Sequence, residues 1–300
     1  MRHSRRSVCG AILALSVFIV PCMNGSAAAA DESETDNRGL FGGVVGKAVP
    51  ALSDRVSLDF GWKFWVAKWQ AQGNAREINA TRTSDTTTMT GPSITGSFRL
   101  REDDFLHTLG VNFTWLEAGG FNFSPFGSDL QVPQTGQSFP GPSDRTSAIR
   151  RDYSIVGTLG IWRGFGIFGG YYHMQQRFSS SFLTLAGNPQ SSVWISGPII
   201  GVYGNGTVTG RLKAYGNLAM GFFSEKTNQE GFNRVDAKGC QGYAAEMGLS
   251  LDGPSIKTGL GQIGSAIQMG FRAQVININH GGGSNNDVTW GPTFQVVARF

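Results

Sequence analysis

Long segments in which apolar and polar residues alternate recur along the chain and constrain its fold more than any other feature. In the first segment Val56, Leu58, Phe60, Trp62 and Phe64 occupy even positions, with polar or small residues between them. Successive side chains of a β-strand point to opposite faces, so this pattern predicts a strand with one apolar face and one polar face. Strands of soluble proteins usually have about five or six residues, whereas a tilted strand that crosses a bilayer needs about 9 to 11. The length of these segments therefore favours strands that span a membrane.

The alternation predicts ten strands in all. They are 55–69, 89–101, 105–117, 151–162, 165–177, 193–203, 206–223, 239–251, one strand within 258–278, and 288–300. Short turns are predicted at residues 102–104, at Arg163-Gly164, at Gly204-Asn205 and at residues 252–255. Long polar connections are predicted near residues 70–88, 118–150, 178–192, 224–238 and 279–287. Because long and short connections alternate, all the long ones come to one end of the structure.

An even number of amphipathic strands with this rhythm of connections is typical of a barrel in an outer membrane. Closure is required because hydrocarbon offers no hydrogen-bonding partner to the amide groups of an edge strand. The predicted fold is therefore all-β, a closed antiparallel up-and-down transmembrane β-barrel formed by residues 55–300. About ten strands are expected, with 8 or 12 as the alternatives. The long connections are then external, and the short turns are periplasmic.

Composition excludes two other classes. A hydrophobic content of 40% and an aromatic content of 11% exclude a disordered chain. A helical membrane protein with several spans would need several apolar stretches of about 20 residues. Only the N-terminus approaches such a stretch, and the mean hydropathy of the whole chain is −0.13.

Residues 1–30 have the pattern of a secretory signal peptide, and we expect cleavage near Ala30. Basic residues precede an apolar run, and the small residues Ala28–Ala30 form an A-x-A cleavage site. A lipoprotein signal with Cys22 is the alternative interpretation, but Pro21 stands where a small residue is wanted. Residues 31–54 are expected to form a periplasmic lead-in or a small plug. The formal charge of +4 comes largely from the signal segment, so a nucleic-acid partner is not expected.

Charged residues at inward-facing positions are predicted to line the lumen. They are Asp59, Lys63, Arg99, Arg211, Lys213, Glu246, Arg272 and Arg299. Basic groups outnumber acidic ones, which indicates a narrow, weakly basic pore with some preference for anions. The alternative is a set of paired charges that fill a small lumen, because buried charges need partners. Barrels of about eight strands are filled by side chains, and this favours the filled lumen.

Tryptophans near the ends of the predicted strands indicate two aromatic girdles, because amphipathic rings favour the headgroup levels of a membrane. The predicted girdle residues are Trp65, Trp69, Trp115, Trp162, Trp194 and Trp290. Aromatic residues scattered through a soluble β-core are the alternative interpretation.

The last predicted strand ends in an aromatic residue with apolar residues at alternating positions before it. Together with the signal peptide and the amphipathic strands, this makes the chain resemble the Gram-negative outer-membrane β-barrel proteins. In that class such an ending is similar to the signal read by the barrel assembly machinery. The resemblance implies Phe294, Val296 and Phe300 as assembly-signal residues. It also implies a place in the cell outer membrane, with outer-membrane lipid and lipopolysaccharide and the assembly machinery as partners.

Motifs for catalysis, metals and cofactors are largely missing from the sequence. Two G-x-G-x-x-G matches, at 164–169 and 259–264, open no helix after a buried strand and are expected by chance. His107, His173 and His280 are too scattered for a metal cluster. We therefore predict no metal, no cofactor and no enzymatic activity.

Three functions remain open from the sequence. The first is a structural protein or narrow small-solute channel. The second is surface recognition or adhesion through the external loops, especially 118–150, where phenylalanines stand among glycines and prolines. The third is a barrel-embedded hydrolase with His280, near Asp287 in the last external loop, as general base. Outer-membrane proteases of ten strands resemble this chain in strand number, yet its adjacent Asp103 and Asp104 lie in a predicted periplasmic turn.

Overall fold

The computed structural model describes residues 55–75, 78–100, 105–123, 130–131, 138–139, 146–179, 190–229, 235–258, 261–280 and 283–300. The predicted signal peptide and the segment 31–54 lie outside the described residues. So does a large part of the predicted external loop 118–150. No helix among the described residues is long and apolar enough to cross a membrane.

Ten strands form the wall of a closed antiparallel barrel, which confirms the predicted fold. In chain order the strands are β1 (Val56–Ala75), β2 (Ile78–Thr83), β3 (Thr87–Arg99), β4 (Phe105–Phe123), β5 (Leu130–Gln131), β6 (Ser138–Phe139), β7 (Thr146–Trp162), β8 (Phe165–Ser179), β9 (Gln190–Thr209), β10 (Leu212–Gln229), β11 (Val235–Asp252), β12 (Ile256–Thr258), β13 (Gly261–His280) and β14 (Gly283–Arg299). Four of them lie outside the wall. Strand β2 pairs with the end of β1, β5 pairs with β6, and β12 pairs with the start of β13.

Wall strands pair with their neighbours in the chain, and β1 pairs with β14 to close the barrel. At this seam Asp59 lies opposite Arg299. The backbones of Leu58 and Phe300 exchange two hydrogen bonds of 3.1 and 2.9 Å. Closure gives the main-chain groups of both terminal wall strands a partner, as a hydrocarbon surrounding requires.

The outer face of the barrel is apolar. Large hydrophobic side chains at outward positions are exposed on strand after strand, among them Phe60, Trp62, Leu109, Val111, Ile155, Ile200, Val202, Leu249, Ile267, Met269 and Val296. A soluble protein rarely exposes so continuous an apolar surface. A barrel in a bilayer needs one, because its outer face contacts lipid.

Several strands extend further into the long connections than predicted. Strand β1 continues to Ala75 and β7 begins at Thr146, although loops are predicted over 70–88 and 118–150. Beyond the bilayer the outward face needs no hydrocarbon. Backbone pairing therefore continues there without the apolar alternation that reveals a strand in the sequence.

The predicted turn at Gly204-Asn205 is wrong. Strand β9 continues through these residues, and the chain turns at Gly210 and Arg211 instead, with a φ of 48° at Gly210. Asn205 lies opposite Tyr215 in the sheet, so pairing with β10 overrides a local turn preference. The turn at Arg163-Gly164 lies where it is predicted. Its φ values of 38° and 82° are those of the tight hairpin turns that fit the twist of paired strands.

Candidate functional site in the barrel interior

Packed side chains fill the interior toward the long-loop end, and we call this layer the septum. Each of the ten wall strands contributes at least one inward side chain that is at most 7% exposed. One such residue from each strand, in chain order, gives Trp65, Met89, Leu116, Arg150, Met174, Ile195, Phe223, Cys240, Ile276 and Thr289. The septum therefore receives buried side chains from every side of the barrel.

Aromatic contacts build one half of the septum around Trp69. The centroid of its ring lies 5.3 Å from that of Phe121 and 5.0 Å from that of Phe123. The ring of Phe178 lies 5.5 Å from that of Trp69 and 6.4 Å from that of Phe123. Phe121 and Phe123 end β4, so the root of the longest predicted external loop is anchored in the septum.

An ion-pair network around Arg150 crosses the septum, and Arg150 itself is 0% exposed. Its Nε and Nη2 donate to the two carboxylate oxygens of Asp152 at 2.9 and 2.8 Å, and its Nη1 donates to Thr289 Oγ1 at 2.5 Å. The guanidinium carbon lies 5.8 Å from the ring of Trp65 and 5.6 Å from that of Trp69. A buried cation is tolerated only with such partners.

Asp287 connects this network to side chains of β1 and β8. One of its oxygens accepts hydrogen bonds from Trp69 Nε1 at 2.9 Å and from Gln176 Nε2 at 2.7 Å. Its other oxygen lies 3.6 Å from Arg150 Nη1. Asp287 is only 5% exposed. This carboxylate is thus committed to the septum, and it is not the solvent-exposed partner that a hydrolase using His280 would need.

The girdle prediction is wrong for Trp65 and Trp69, because both side chains point inward and are 0% exposed. Their odd positions share the inward face with Lys63, so strand parity already excluded contact with lipid. The prediction used only the position of each tryptophan near the end of its strand and not the face of the strand on which it lies. Trp62, which it missed, is 50% exposed on the outer face and donates to Thr90 Oγ1 at 2.6 Å.

The other four predicted girdle residues fall into two pairs that differ in exposure. Trp115 and Trp162 are exposed on the outer face, 44% and 53% respectively. Trp194 and Trp290 are half-buried next to the inward-facing Ile195 and Thr289.

Toward the short-turn end the interior opens into a cavity of about 650 Å³. Hydroxyl, amide and charged side chains line it together with apolar ones, among them Phe168, Ile199 and Phe223. Polar residues of its wall include Ser93, Thr95, Asn112, Thr158, Tyr203 and Tyr215. The interior is therefore a packed septum over a chamber with a mixed polar and apolar lining.

Three of the predicted lumen residues come together where the cavity meets the septum. Lys63 Nζ donates to both carboxylate oxygens of Glu246 at 2.7 Å. These two side chains are 8% and 7% exposed, and Thr293 Oγ1 donates to Glu246 at 3.3 Å. Arg272 lies beside them over the ring of Trp65 at 4.7 Å. The pairing supports the alternative of paired charges in a small lumen.

Three further predicted lumen residues form a second group at the mouth of the cavity. Asp252 accepts a hydrogen bond from Arg299 Nη1 at 2.6 Å and pairs with Lys213 Nζ at 2.7 Å. Arg299 Nε also lies 3.7 Å from an oxygen of Asp59. Asp252, which holds this group together, was not found from the sequence because it was assigned to a turn.

The lumen prediction is wrong for Arg99 and Arg211. Arg99 is the last residue of β3 and is exposed there, and Arg211 is exposed in the turn between β9 and β10. Arg211 was misplaced because the turn itself lies further along the chain than predicted.

Histidines bring no catalytic couple together among the described side chains. His107 Nδ1 forms a hydrogen bond with Thr108 Oγ1 at 2.7 Å, and His173 stacks on Tyr153 on the outer face at 4.5 Å. The side chain of His280 lies outside the description. No group of three metal-ligating side chains occurs within the described part of the chain.

The predicted assembly-signal residues lie along the seam. Phe294 packs near Phe64 with ring centroids 6.1 Å apart, and Phe300 meets Phe60 edge to face at 5.9 Å. Val296 is 46% exposed on the outer face. Their role in assembly stays a prediction.

No protein-family model and no curated protein sequence matches the chain. Solved structures do resemble it. The outer membrane protease OmpT from Escherichia coli is 11% identical, with a TM-score of 0.48 over 82% of this chain and 96% of that one. Ail, the attachment invasion locus protein of Yersinia pestis, is 10% identical, with a TM-score of 0.31 over 82% and 99%. The Pseudomonas putida toluene transporter TodX is 9% identical, with a TM-score of 0.26 over 82% and 90%.

These likenesses concern the fold alone, and the named proteins differ in what they do. The closed ten-strand barrel and its apolar outer belt agree with the fold that the sequence resemblance to Gram-negative outer-membrane β-barrel proteins predicts. The location in the cell outer membrane stays a prediction from the sequence.

Proposed function

We propose that the protein is a sealed outer-membrane scaffold that presents its long connections at the cell surface for recognition, and that it is not a steadily open channel. The septum carries this proposal. A pore that conducts solutes would need a continuous water-filled path through the barrel, with exposed inward side chains along it. Every wall strand instead contributes a buried side chain to the same layer.

The support beneath the external loops favours recognition over a purely structural role. Phe121 and Phe123 lead into the 118–150 connection and pack against Trp69 within the septum. Strands that extend above the bilayer continue this support. A loop on a rigid base loses less conformational entropy when it binds a partner, and this is how many binding loops are mounted on barrels.

Conductance in planar lipid bilayers tests the sealed barrel. We expect the wild-type protein to show no openings and no salt-dependent current. Truncation of septum side chains on two wall strands, as in Met89→Ala on β3 with Met174→Ala on β8, is expected to produce measurable leakage, because both side chains are fully buried there. The matched control is Met269→Ala, which removes a methionine from the lipid-facing surface. Steady wild-type channels would overturn the proposal.

Adhesion of cells that display the protein tests the recognition role. Residues 124–145 are replaced by a short Gly-Ser linker, so that Phe123 and the start of β7 remain. We expect this variant to lose adhesion to immobilised cells while it still migrates as a folded barrel on unheated gels. A similar replacement of residues 231–234 is the control. Equal adhesion of both variants and the wild type would contradict a role for the long loop.

A further inference from the structure

One cation at the inner end of the cavity has no carboxylate of its own. Arg272 Nη2 donates to Gln274 Oε1 at 3.4 Å, and its guanidinium carbon lies 4.7 Å from the ring of Trp65. Within the described part of the chain no carboxylate oxygen lies within 4.0 Å of this guanidinium. A guanidinium in a partly buried site gains much from an anionic partner.

Nearby carboxylates are already engaged by other cations. Both oxygens of Glu246 accept hydrogen bonds from Lys63 Nζ at 2.7 Å. Both oxygens of Asp252 are held at the mouth, one by Arg299 at 2.6 Å and one by Lys213 at 2.7 Å. The cavity therefore carries an excess positive charge, and that charge lies at Arg272.

Two hydroxyl groups of the cavity wall, one without a partner and one with a proton left to donate, point to a ligand with several polar groups. Ser250 Oγ, in a residue that is only 4% exposed, has no hydrogen-bonding partner among the described residues. Tyr172 Oη accepts a hydrogen bond from Gln274 Nε2 at 2.8 Å, and this leaves its own proton to donate. Both residues line the cavity. A buried hydroxyl without a partner costs free energy, which a hydroxylated ligand would remove.

Size and access fit a small ligand that enters from the periplasmic side. The volume of about 650 Å³ lies within the usual range of ligand sites, about 300 to 1,000 Å³. The mouth is lined by Asp59, Lys213 and Arg299, whose side chains are 32%, 41% and 33% exposed. The septum blocks the opposite end.

We propose that this cavity binds a small anion with a hydroxylated body, such as a sugar phosphate or sugar acid, and that Arg272 anchors its phosphate or carboxylate group. Lys63 adds to the positive potential but stays paired with Glu246. Hydroxyl groups of the wall, including those of Tyr172 and Ser250, contact the body of the ligand. The site is independent of any partner bound by the external loops.

Equilibrium dialysis of the purified full-length barrel in detergent micelles tests this site. The probes are glucose 6-phosphate, gluconate, inorganic phosphate and, as the neutral counterpart, glucose. Saturable binding of the two organic anions is expected, with glucose bound at least tenfold more weakly. Comparison of inorganic phosphate with glucose 6-phosphate separates binding of the anionic group from binding of the sugar. Weaker binding of inorganic phosphate shows that the sugar hydroxyl groups contribute. Binding of glucose as tight as that of either anion would overturn the proposal.

Variants assign the binding to Arg272. Arg272→Gln is expected to weaken binding of glucose 6-phosphate at least tenfold, whereas the exposed Arg99→Gln leaves it unchanged. Tyr172→Phe keeps the ring and removes only the hydroxyl, and it is expected to weaken binding of glucose 6-phosphate severalfold. This variant tests the site even if Arg272→Gln impairs folding. Wild-type binding by both Arg272→Gln and Tyr172→Phe refutes the site, as does an equal loss in Arg99→Gln. Absence of saturable binding by any anion at millimolar concentration refutes it as well.

Discussion

Replacement of Arg150 by methionine perturbs the centre of the septum with little change in volume. In the wild type this guanidinium makes a bidentate hydrogen bond with Asp152 and a further hydrogen bond with Thr289, and it lies 3.6 Å from Asp287. The variant leaves Asp152 and Asp287, which are 3% and 5% exposed, without their cation.

The expected loss follows from these buried carboxylates. Removal of one partner from a buried ion pair typically costs about 3 to 5 kcal/mol, since the remaining charge is uncompensated. Arg150→Met should therefore lower the free energy of unfolding by about 4 kcal/mol. When Asp152→Asn and Asp287→Asn are added, the unpaired charges disappear, and more than half of that loss should return.

Reversible urea unfolding in lipid or detergent, followed by tryptophan fluorescence and by gel mobility without heating, measures the change. Arg151→Met is the matched control. Arg151 occupies the next position on the same strand and pairs with Glu117 at 2.8 Å, but its side chain is 41% exposed. Such an exposed pair contributes less than about 1 kcal/mol. Equal stability of the Arg150→Met and Arg151→Met variants would refute the buried network, and so would a triple variant less stable than Arg150→Met alone.

Three further changes test other parts of the barrel. Gly91→Ala should cost about 1 to 3 kcal/mol in urea unfolding, because the added methyl group meets the backbone carbonyl of Trp115. Gly96→Ala on the same strand meets nothing within 4 Å and should cost nothing. Trp69→Phe removes the indole N–H that donates to Asp287 and also leaves a small void, so a loss of at least about 1.5 to 3 kcal/mol is expected in the same assay, and no loss would contradict the contact. Phe300→Ala should lower the amount of barrel assembled in cells far more than it slows refolding from urea in lipid. An equal effect on both would indicate a purely structural role for this residue.

Strand parity predicted most of the fold because a bilayer requires an unbroken apolar outer face. The same parity brought Lys63, Glu246 and Arg272 together, since they point inward at similar heights. It would also have placed Trp65 and Trp69 inside. The girdle prediction failed because it used their height along the strand and ignored the face on which they lie.

Arg150 and Asp287 were beyond the sequence prediction because both lie where alternation fades. Outside the bilayer the outward face can be polar, so residues 146–150 and 283–287 were predicted as loops, although they belong to β7 and β14. One signal was available for the network. Arg150 and Asp152 are opposite charges two positions apart, and this spacing places both side chains on the same face of a strand.

Because β1 pairs with β14, every strand of the wall has two neighbours and the wall has no edge strand. Asp59 lies opposite Arg299, so the two ends of the wall meet side by side at the short-turn end of the barrel. A short peptide from residue 300 back to residue 55 would span them, and new termini could be cut in an external loop with all strand partners retained. The order of the strands along the chain should therefore affect how the barrel assembles but not the pairing of its strands once it has folded.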